Sequence, residues 1–292
     1  MKFIRVFAVL LVISVFYCCS SEESNSSSNP KESFTYKLNN LNVPIVKWTA
    51  IRTENFIEVL GESSDGSSIH ASFDKFGHFE RIGSTSPVSS SIPWRDSFYE
   101  FSSNYFNFEL VSIDETNKTV KVSFSGKLYE DMFDLSSSSS TVEGNFYVKY
   151  VDQPAPEVTG LGTSLKINGA SWRSIKEGQT DGFFSGSNIT LTAQSDDAYA
   201  FGLTINHNNT QKGTYNFTPS STVNKVVLSK YDPLTNSYID YAGTGTLIIT
   251  DKIVGSQYTV IKGTYVFTAK DPKTNNSITI TEGAFKTIYE NY

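Results

Sequence analysis

Two stretches of this chain, 137 residues apart, carry the same ordered set of residues, so the fold has to accommodate one unit twice. Leu110-Val111-Ser112-Ile113-Asp114 and Leu247-Ile248-Ile249-Thr250-Asp251 form the first pair. At the same offset Gly126 meets Gly263, each 12 residues after its aspartate, and between them Val122 and Phe124 face Thr259 and Ile261. Two residues are then gained, and Glu143-Gly144-Asn145-Phe146 lines up with Glu282-Gly283-Ala284-Phe285. Tyr150 and Tyr289 close the copies, each 4 residues beyond its phenylalanine. Order, spacing and shared endpoint indicate an internal duplication. The N-terminal halves agree less well: Trp48-Thr49-Ala50 is matched to Trp172-Arg173-Ser174, with a polar hairpin-like stretch following at Asp65-Gly66 or Asp196-Asp197.

Val151-Asp152-Gln153-Pro154-Ala155-Pro156-Glu157 separates the copies, because its prolines cannot donate to a sheet and keep the backbone extended. The expected division is a first β-domain over 34–150, a linker over 151–157 and a second β-domain over 158–292. Within each copy the period is that of strands. Asn168-Gly169 between extended runs is a hairpin signal, since both residues tolerate the positive φ of a type I′ turn. Tyr258 to Ala269 alternates through Ile261, Gly263, Tyr265 and Phe267, as one buried face requires, and Ser277 to Ile280 alternates likewise. Asp114 and Asp251 each read as the start of a hairpin loop. The expected fold class is all-β, two tandem antiparallel domains with almost no helix, each a sandwich or a flattened barrel.

The start of the chain carries a separate message. Met1-Lys2-Phe3-Ile4-Arg5 is a positive n-region, and Val6 to Phe16 is apolar except for Ser14, which is a signal-peptide pattern. The run is too short for a spanning helix, which needs about 20 apolar residues, and it stops at Cys18-Cys19. A cysteine just after such a run resembles the lipobox of bacterial lipoproteins, although Phe16 and Tyr17 stand where that family prefers Leu and a small residue. The resemblance implies a signal peptide over 1–18 and a diacylglyceryl group on Cys19, because cutting before Cys18 would leave bulky Tyr17 at the cleavage site. Residues 19–33 are then a lipidated tether, since Ser20 to Asn29 is Ser, Glu and Asn only. Glu22-Glu23 is similar to the export signals of some Bacteroidetes-type lipoproteins. The implied location is the bacterial outer membrane, lipid-anchored, on its periplasmic or surface-exposed face. With only two Cys in the chain, one cleaved off and one lipidated, no disulfide remains.

Loss of Lys2 and Arg5 with the signal leaves 22 basic against 30 acidic side chains, a net charge of −8. That sign argues against nucleic acid, whose affinity comes largely from Lys and Arg on phosphates, and against anionic lipid heads. Low charge with many aromatics and abundant Ser, Thr and Asn fits strands with uncharged polar outer faces.

The second half also resembles an uncharacterised β-domain family of Bacteroidetes-type lipoproteins. The matching residues are Ile167-Asn168-Gly169 with Trp172, Gly213-Thr214-Tyr215, Gly245-Thr246-Leu247-Ile248-Ile249-Thr250, Lys262-Gly263-Thr264-Tyr265-Val266-Phe267 and Ile280-Thr281-Glu282-Gly283-Ala284-Phe285. The resemblance implies a fold and a location and no activity. In the first half Pro44 sits near the place of the family's Asn-Gly turn.

Residues that carry chemistry are sparse. His70, His78 and His207 stand at no ligand spacing, no nucleophile elbow or phosphate loop occurs, and Asp196-Asp197 alone is not a calcium site. No catalytic residue, metal or cofactor is expected. Glu143 and Glu282 recur at matched positions, each before a glycine, where they shape a bulge or turn. The densest aromatic run is Trp94-Arg95-Asp96-Ser97-Phe98-Tyr99-Glu100-Phe101, continuing to Phe108. Trp94, Phe98, Tyr99, Phe106 and Phe108 form the candidate ligand platform, against the plainer reading that alternate members are core. Phe101 faces Tyr238 at the repeat offset, which suits a core position. Phe106 and Phe108 face Gly243 and Gly245, which makes them the better candidates for exposure. The expected function is non-enzymatic binding or display of a glycan or protein outside the cell. The alternatives are a polysaccharide hydrolase using two carboxylates and a structural or adhesive fibre subunit.

Overall fold

The alternation read over Tyr258 to Ala269 runs unbroken through the strand Tyr258–Lys270, which buries every second side chain. The same period organises the rest of the computed structural model, which describes residues 31–86, 94–175 and 183–291, with everything from Glu32 onward in one compact unit. The expected signal peptide, Cys19 and most of the tether lie outside the described residues.

The first lobe contains β1 (Ser33–Leu38), β2 (Leu41–Val43), β3 (Ile45–Thr53), β4 (Phe56–Ser63), β5 (Ser68–Asp74), β6 (Phe79–Thr85), β7 (Arg95–Ser97), the single helical turn α1 (Ser102–Tyr105), β8 (Phe106–Asp114), β9 (Thr119–Tyr129), β10 (Ser139–Lys149) and β11 (Val151–Asp152). These strands form one sheet in the order β11-β3-β4-β5-β6-β7-β9-β10-β1-β2, with β8 also paired to β9. The sheet doubles over, so that Ile57, Ile69, Phe73 and Ile82 from one half meet Phe34, Val122, Phe124 and Phe146 from the other. Three-residue β7 joins the halves by pairing Asp96 with Gly83 on β6 and with Tyr129 on β9.

The second lobe contains β12 (Gly162–Ile167), β13 (Ala170–Arg173), β14 (Phe183–Ser185), β15 (Asn188–Gln194), β16 (Tyr199–Asn206), β17 (Gly213–Phe217), β18 (Lys225–Asp232), β19 (Ser237–Tyr241), β20 (Gly243–Val254), β21 (Tyr258–Lys270) and β22 (Ser277–Glu290). They make two sheets, β13-β12-β22-β21-β20-β17 and β14-β15-β16-β18-β19, around one core that includes Trp172, Phe201, Leu228, Ile261 and Phe285. The protein is all-β, as expected from the sequence, and of the two expected forms it takes packed sheets with no closed barrel. Among the described residues no helix is long and apolar enough to cross a membrane.

The strand plan repeats. The order β2-β1-β10-β9-β8 in the first lobe recurs as β13-β12-β22-β21-β20 in the second, and β3-β4-β5-β6-β7 recurs as β14-β15-β16-β18-β19. β17 is an addition laid along β20. The register also shows which residues correspond. Gly144 lies opposite Phe124 and Gly283 opposite Tyr265, while Val122 pairs with Phe146 and Gly263 with Phe285. The Glu-Gly blocks therefore coincide, but Gly126 takes the place of Phe267 and Gly263 that of Val122. The constant offset fails because position in a sheet is set by cross-strand pairing, and a bulge at Glu282 (φ 53°) adds a residue to one copy. Trp48, on β3, likewise does not correspond to Trp172, on β13.

The opening hairpins agree closely. Asn168 (φ 49°) and Gly169 (φ 86°) form the expected two-residue turn between Ile167 and Ala170. In the first lobe the turn is Asn39 (φ 50°) and Asn40 (φ 65°), between Leu38 and Leu41, and Pro44 merely separates β2 from β3. Each first asparagine clamps the neighbouring strand twice. The Asn39 N–H donates to the Thr141 carbonyl (2.8 Å) and its Oδ1 accepts from the Thr141 N–H (3.0 Å). Asn168 makes the same two bonds to Thr279, both 2.8 Å.

The lobes meet through a small aromatic cluster that includes Phe98, a member of the expected platform. Phe98 and Tyr129 pack on Ala198 and Tyr231, flanked by Phe101, Tyr105, Leu135 and Tyr238. Phe98 lies 6.3 Å from the Tyr231 ring and is 1% exposed. Burial of such a ring stabilises by about 1.5–3 kcal/mol, so Phe98 is a substantial contact of this seam. Ser103 donates from both its N–H (2.9 Å) and its Oγ (2.8 Å) to the Asp196 carbonyl, and the Phe79 N–H donates to Asp196 Oδ2 (3.2 Å).

Candidate functional site

The expected aromatic platform does not form. Phe98 is in the seam between the lobes, and Phe106 is 3% exposed with its ring over Gly126 and stacked on Phe79. Phe108 packs on Phe79 and Phe73, and half-buried Tyr99 packs on Phe133. Trp94 alone is well exposed, at 44%, and it stacks on His70. The correction has one cause: α1 turns the chain between β7 and β8, so consecutive aromatics are delivered to two different interiors and share no outer face.

The outer face of β2-β1-β10-β9-β8 offers a site of another kind. Alternation sends Phe34, Tyr36, Val122, Phe124, Phe146 and Phe106 inward, leaving polar residues outside. Cross-strand pairing then sets these in two rows. One row reads Asn42, Lys37, Glu143, Ser125, Asn107, and the next reads Thr35, Asn145, Ser123, Glu109. Together they line a groove of about 660 Å³ whose wall includes Ser103 and Asp196. Lys37 Nζ is 2.6 Å from Glu143 Oε1, Ser123 Oγ donates to Glu109 Oε2 (3.1 Å), and Asn107 Nδ2 donates to Ser125 Oγ (3.4 Å). Amides, hydroxyls, Glu109 and one ion pair thus form the polar lining of the groove in fixed positions on rigid strands, and Phe79, Phe106, Phe108 and Phe124 also contribute to its wall. Of the expected platform only Phe106 and Phe108 line this groove, and the sequence reading missed its polar rows, because a row across strands exists only once the register is known.

Other candidate residues take structural parts. Glu143 forms the ion pair just described, and Glu282, at its bulge, pairs with Lys166 at 2.7 Å. Asp114 Oδ1 accepts the Thr116 and Asn117 N–H groups at 2.9 Å, a hairpin-loop role. Asp251, expected to start a loop, lies inside β20 and pairs with Lys212 at 3.0 Å, because the strand continues to Val254. Asp197 accepts the Trp172 indole N–H (3.1 Å) and the Tyr199 N–H (2.9 Å), and burial pushes its carboxyl up. His78 Nδ1 is 2.7 Å from Asp74 Oδ2, and that bond raises its imidazole pKa. His70 is pulled down to about 4 by burial and then by the Arg81 charge. Among the described residues no group of three or more His, Cys, Asp or Glu is placed to hold a metal.

Known families bear on one lobe. Residues 164–289 match the model of a domain of unknown function, DUF6252. The matched stretch runs from β12 to β22, which is the second lobe, whereas the first lobe repeats its strand order outside the match. No curated protein and no solved structure matches the chain.

Proposed function

We propose that the chain is a cell-envelope lipoprotein held to the outer membrane through Cys19, and that its first lobe binds a glycan in the outer groove without catalysing a reaction. The observation that carries the reading is the double row of amide and hydroxyl side chains in a groove of about 660 Å³, room for a short run of sugar units. Sugar hydroxyls are donors and acceptors at once, and Asn side chains answer both roles. A polysaccharide hydrolase would need two carboxylates across the cleft, one of them desolvated enough to stay protonated. Glu143 is 56% exposed and tied to Lys37, and Glu109 is engaged by Ser123, which favours binding over hydrolysis.

Glycan-array binding by the full chain, followed by calorimetry on the best hit, tests the reading. Asn107→Ala with Asn145→Ala removes several hydrogen bonds of about 1 kcal/mol each, so affinity falls at least tenfold. A folded double variant with unchanged affinity for every hit excludes this groove as the site. For the anchor, labelling with radioactive palmitate in cells is expected to disappear on Cys19→Ala.

A further inference from the structure

The second lobe carries a groove at the position equivalent to that of the first, and among the differences in its lining one adds a cation. It has a volume of about 400 Å³ and lies where the β5–β6 turn of the first lobe, with Phe76 and His78, stands over the outer face of β12, β13 and β22. Ser164, Lys166, Ser171 and Glu282 line it. In register these correspond to Thr35, Lys37, Asn42 and Glu143, so the Lys166–Glu282 pair at 2.7 Å repeats the Lys37–Glu143 pair at 2.6 Å. The difference is Arg173, opposite Ser164 on β13. Two cations, Lys166 and Arg173, thus meet one carboxylate in a chain whose net charge is −6.

Arg173 is held in a way that suits a carboxylate ligand. Its guanidinium lies 4.2 Å from the centre of the Phe76 ring, and among the described residues no acid is ion-paired with it. Stacking fixes the plane of the fork while leaving its N–H edge for two parallel bonds to a carboxylate. Phe76 is 49% exposed in that turn, so its ring offers apolar surface to the C–H face of a sugar. The Ser164 and Ser171 hydroxyls supply the polar contacts that sugar hydroxyls need. His78 is fixed through Nδ1 by Asp74, which leaves Nε2 as its remaining polar atom.

We propose that this groove is a second binding site, specific for a sugar that bears a carboxylate, with Arg173 as the carboxylate-reading residue. The two lobes then present paired grooves, one for uncharged sugar units and one for uronic-acid units.

Calorimetry of the full chain at low salt with trigalacturonate and with its uncharged counterpart, galactotriose, tests the proposal. Trigalacturonate is expected to bind more tightly than galactotriose. Arg173→Gln and Arg173→Lys should each lower its affinity at least tenfold, the lysine variant because it keeps the charge and loses the fork. Asn107→Ala with Asn145→Ala in the first groove should leave it unchanged, which separates this site from the first-lobe reading. Thermal melts confirm that the variants are folded. Undiminished binding in folded Arg173→Lys, loss in the Asn107/Asn145 variant, no binding by the parent chain, or preference for a hexaglutamate peptide over the sugar would each overturn the proposal.

Discussion

Asn39 in the first lobe and Asn168 in the second hold the same corner of the fold, each turning a two-residue hairpin and clamping a threonine of the neighbouring strand with two bonds. Around that shared corner the lobes diverge. The first closes its halves into one hydrogen-bonded sheet through β7, whereas the second keeps two sheets apart and adds β17. The first covers its equivalent outer face with Asn, Ser and Thr, and the second places Arg173 there under a ring from its neighbour. Backbone plan and inward glycine-aromatic packing are common to both, while outward side chains differ freely, because only the buried face constrains the register.

The comparison can be broken most forcefully in the cores. Phe146 and Phe285 occupy matched places, 1% and 5% exposed, and alanine at either should cost about 3–5 kcal/mol. Because Phe98, Tyr129 and Tyr231 join the lobes, we expect each variant to shift a single denaturant transition of the whole body. Two transitions, each moved by only one of the variants, would show lobes that fold independently. A middle-sized effect is expected at the hairpins. Asn39→Ala and Asn168→Ala should each lose about 1–2 kcal/mol in the same titration, from the left-handed backbone and the lost clamp together. Glycine at either position should recover the backbone part, and a glycine variant as weak as the alanine one would leave the clamp as the whole effect.

The smallest effect is a slope with pH. Burial raises the Glu100 carboxyl above its ordinary value of 4.5, with the Tyr238 hydrogen bond pulling the other way. A raised folded value means that the folded state holds the proton more tightly. Its contribution is therefore full below 4.5 and is lost as pH rises through the folded value. Glu100→Gln should match the parent in acid and become the more stable of the two towards neutrality. A difference that does not vary with pH would show that burial does not raise the Glu100 carboxyl in the folded state.

What the sequence showed was local. Asn168-Gly169 announces its hairpin because that pair has few other uses, whereas Asn39-Asn40 does not, because Asn-Asn is a weaker signal and Pro44 lies close by. The Glu143 and Glu282 blocks were matched correctly. Gly126 and Gly263 were not, since bulges shift the register in ways that only pairing reveals. The aromatic run from Trp94 to Phe108 was visible, but alternation says that a face is covered without saying by what, and the cover for Phe98 is the other lobe. Both grooves are assembled across strands far apart in the chain, so no window of sequence contains them.

The different surroundings of the indoles have an optical consequence. Trp172 is 6% exposed in the second lobe and donates to Asp197, while Trp94, in the first lobe, is 44% exposed and lies against His70. Trp48 donates to Glu32 at the start of β1 (3.0 Å). Emission from Trp172 is thus expected to be blue-shifted and shielded from a dissolved quencher such as iodide, and emission from Trp94 to be open to it. The protein therefore carries its own fluorophores, Trp172 in the second lobe and Trp48 with Trp94 in the first, able to tell which half has opened without any label being added.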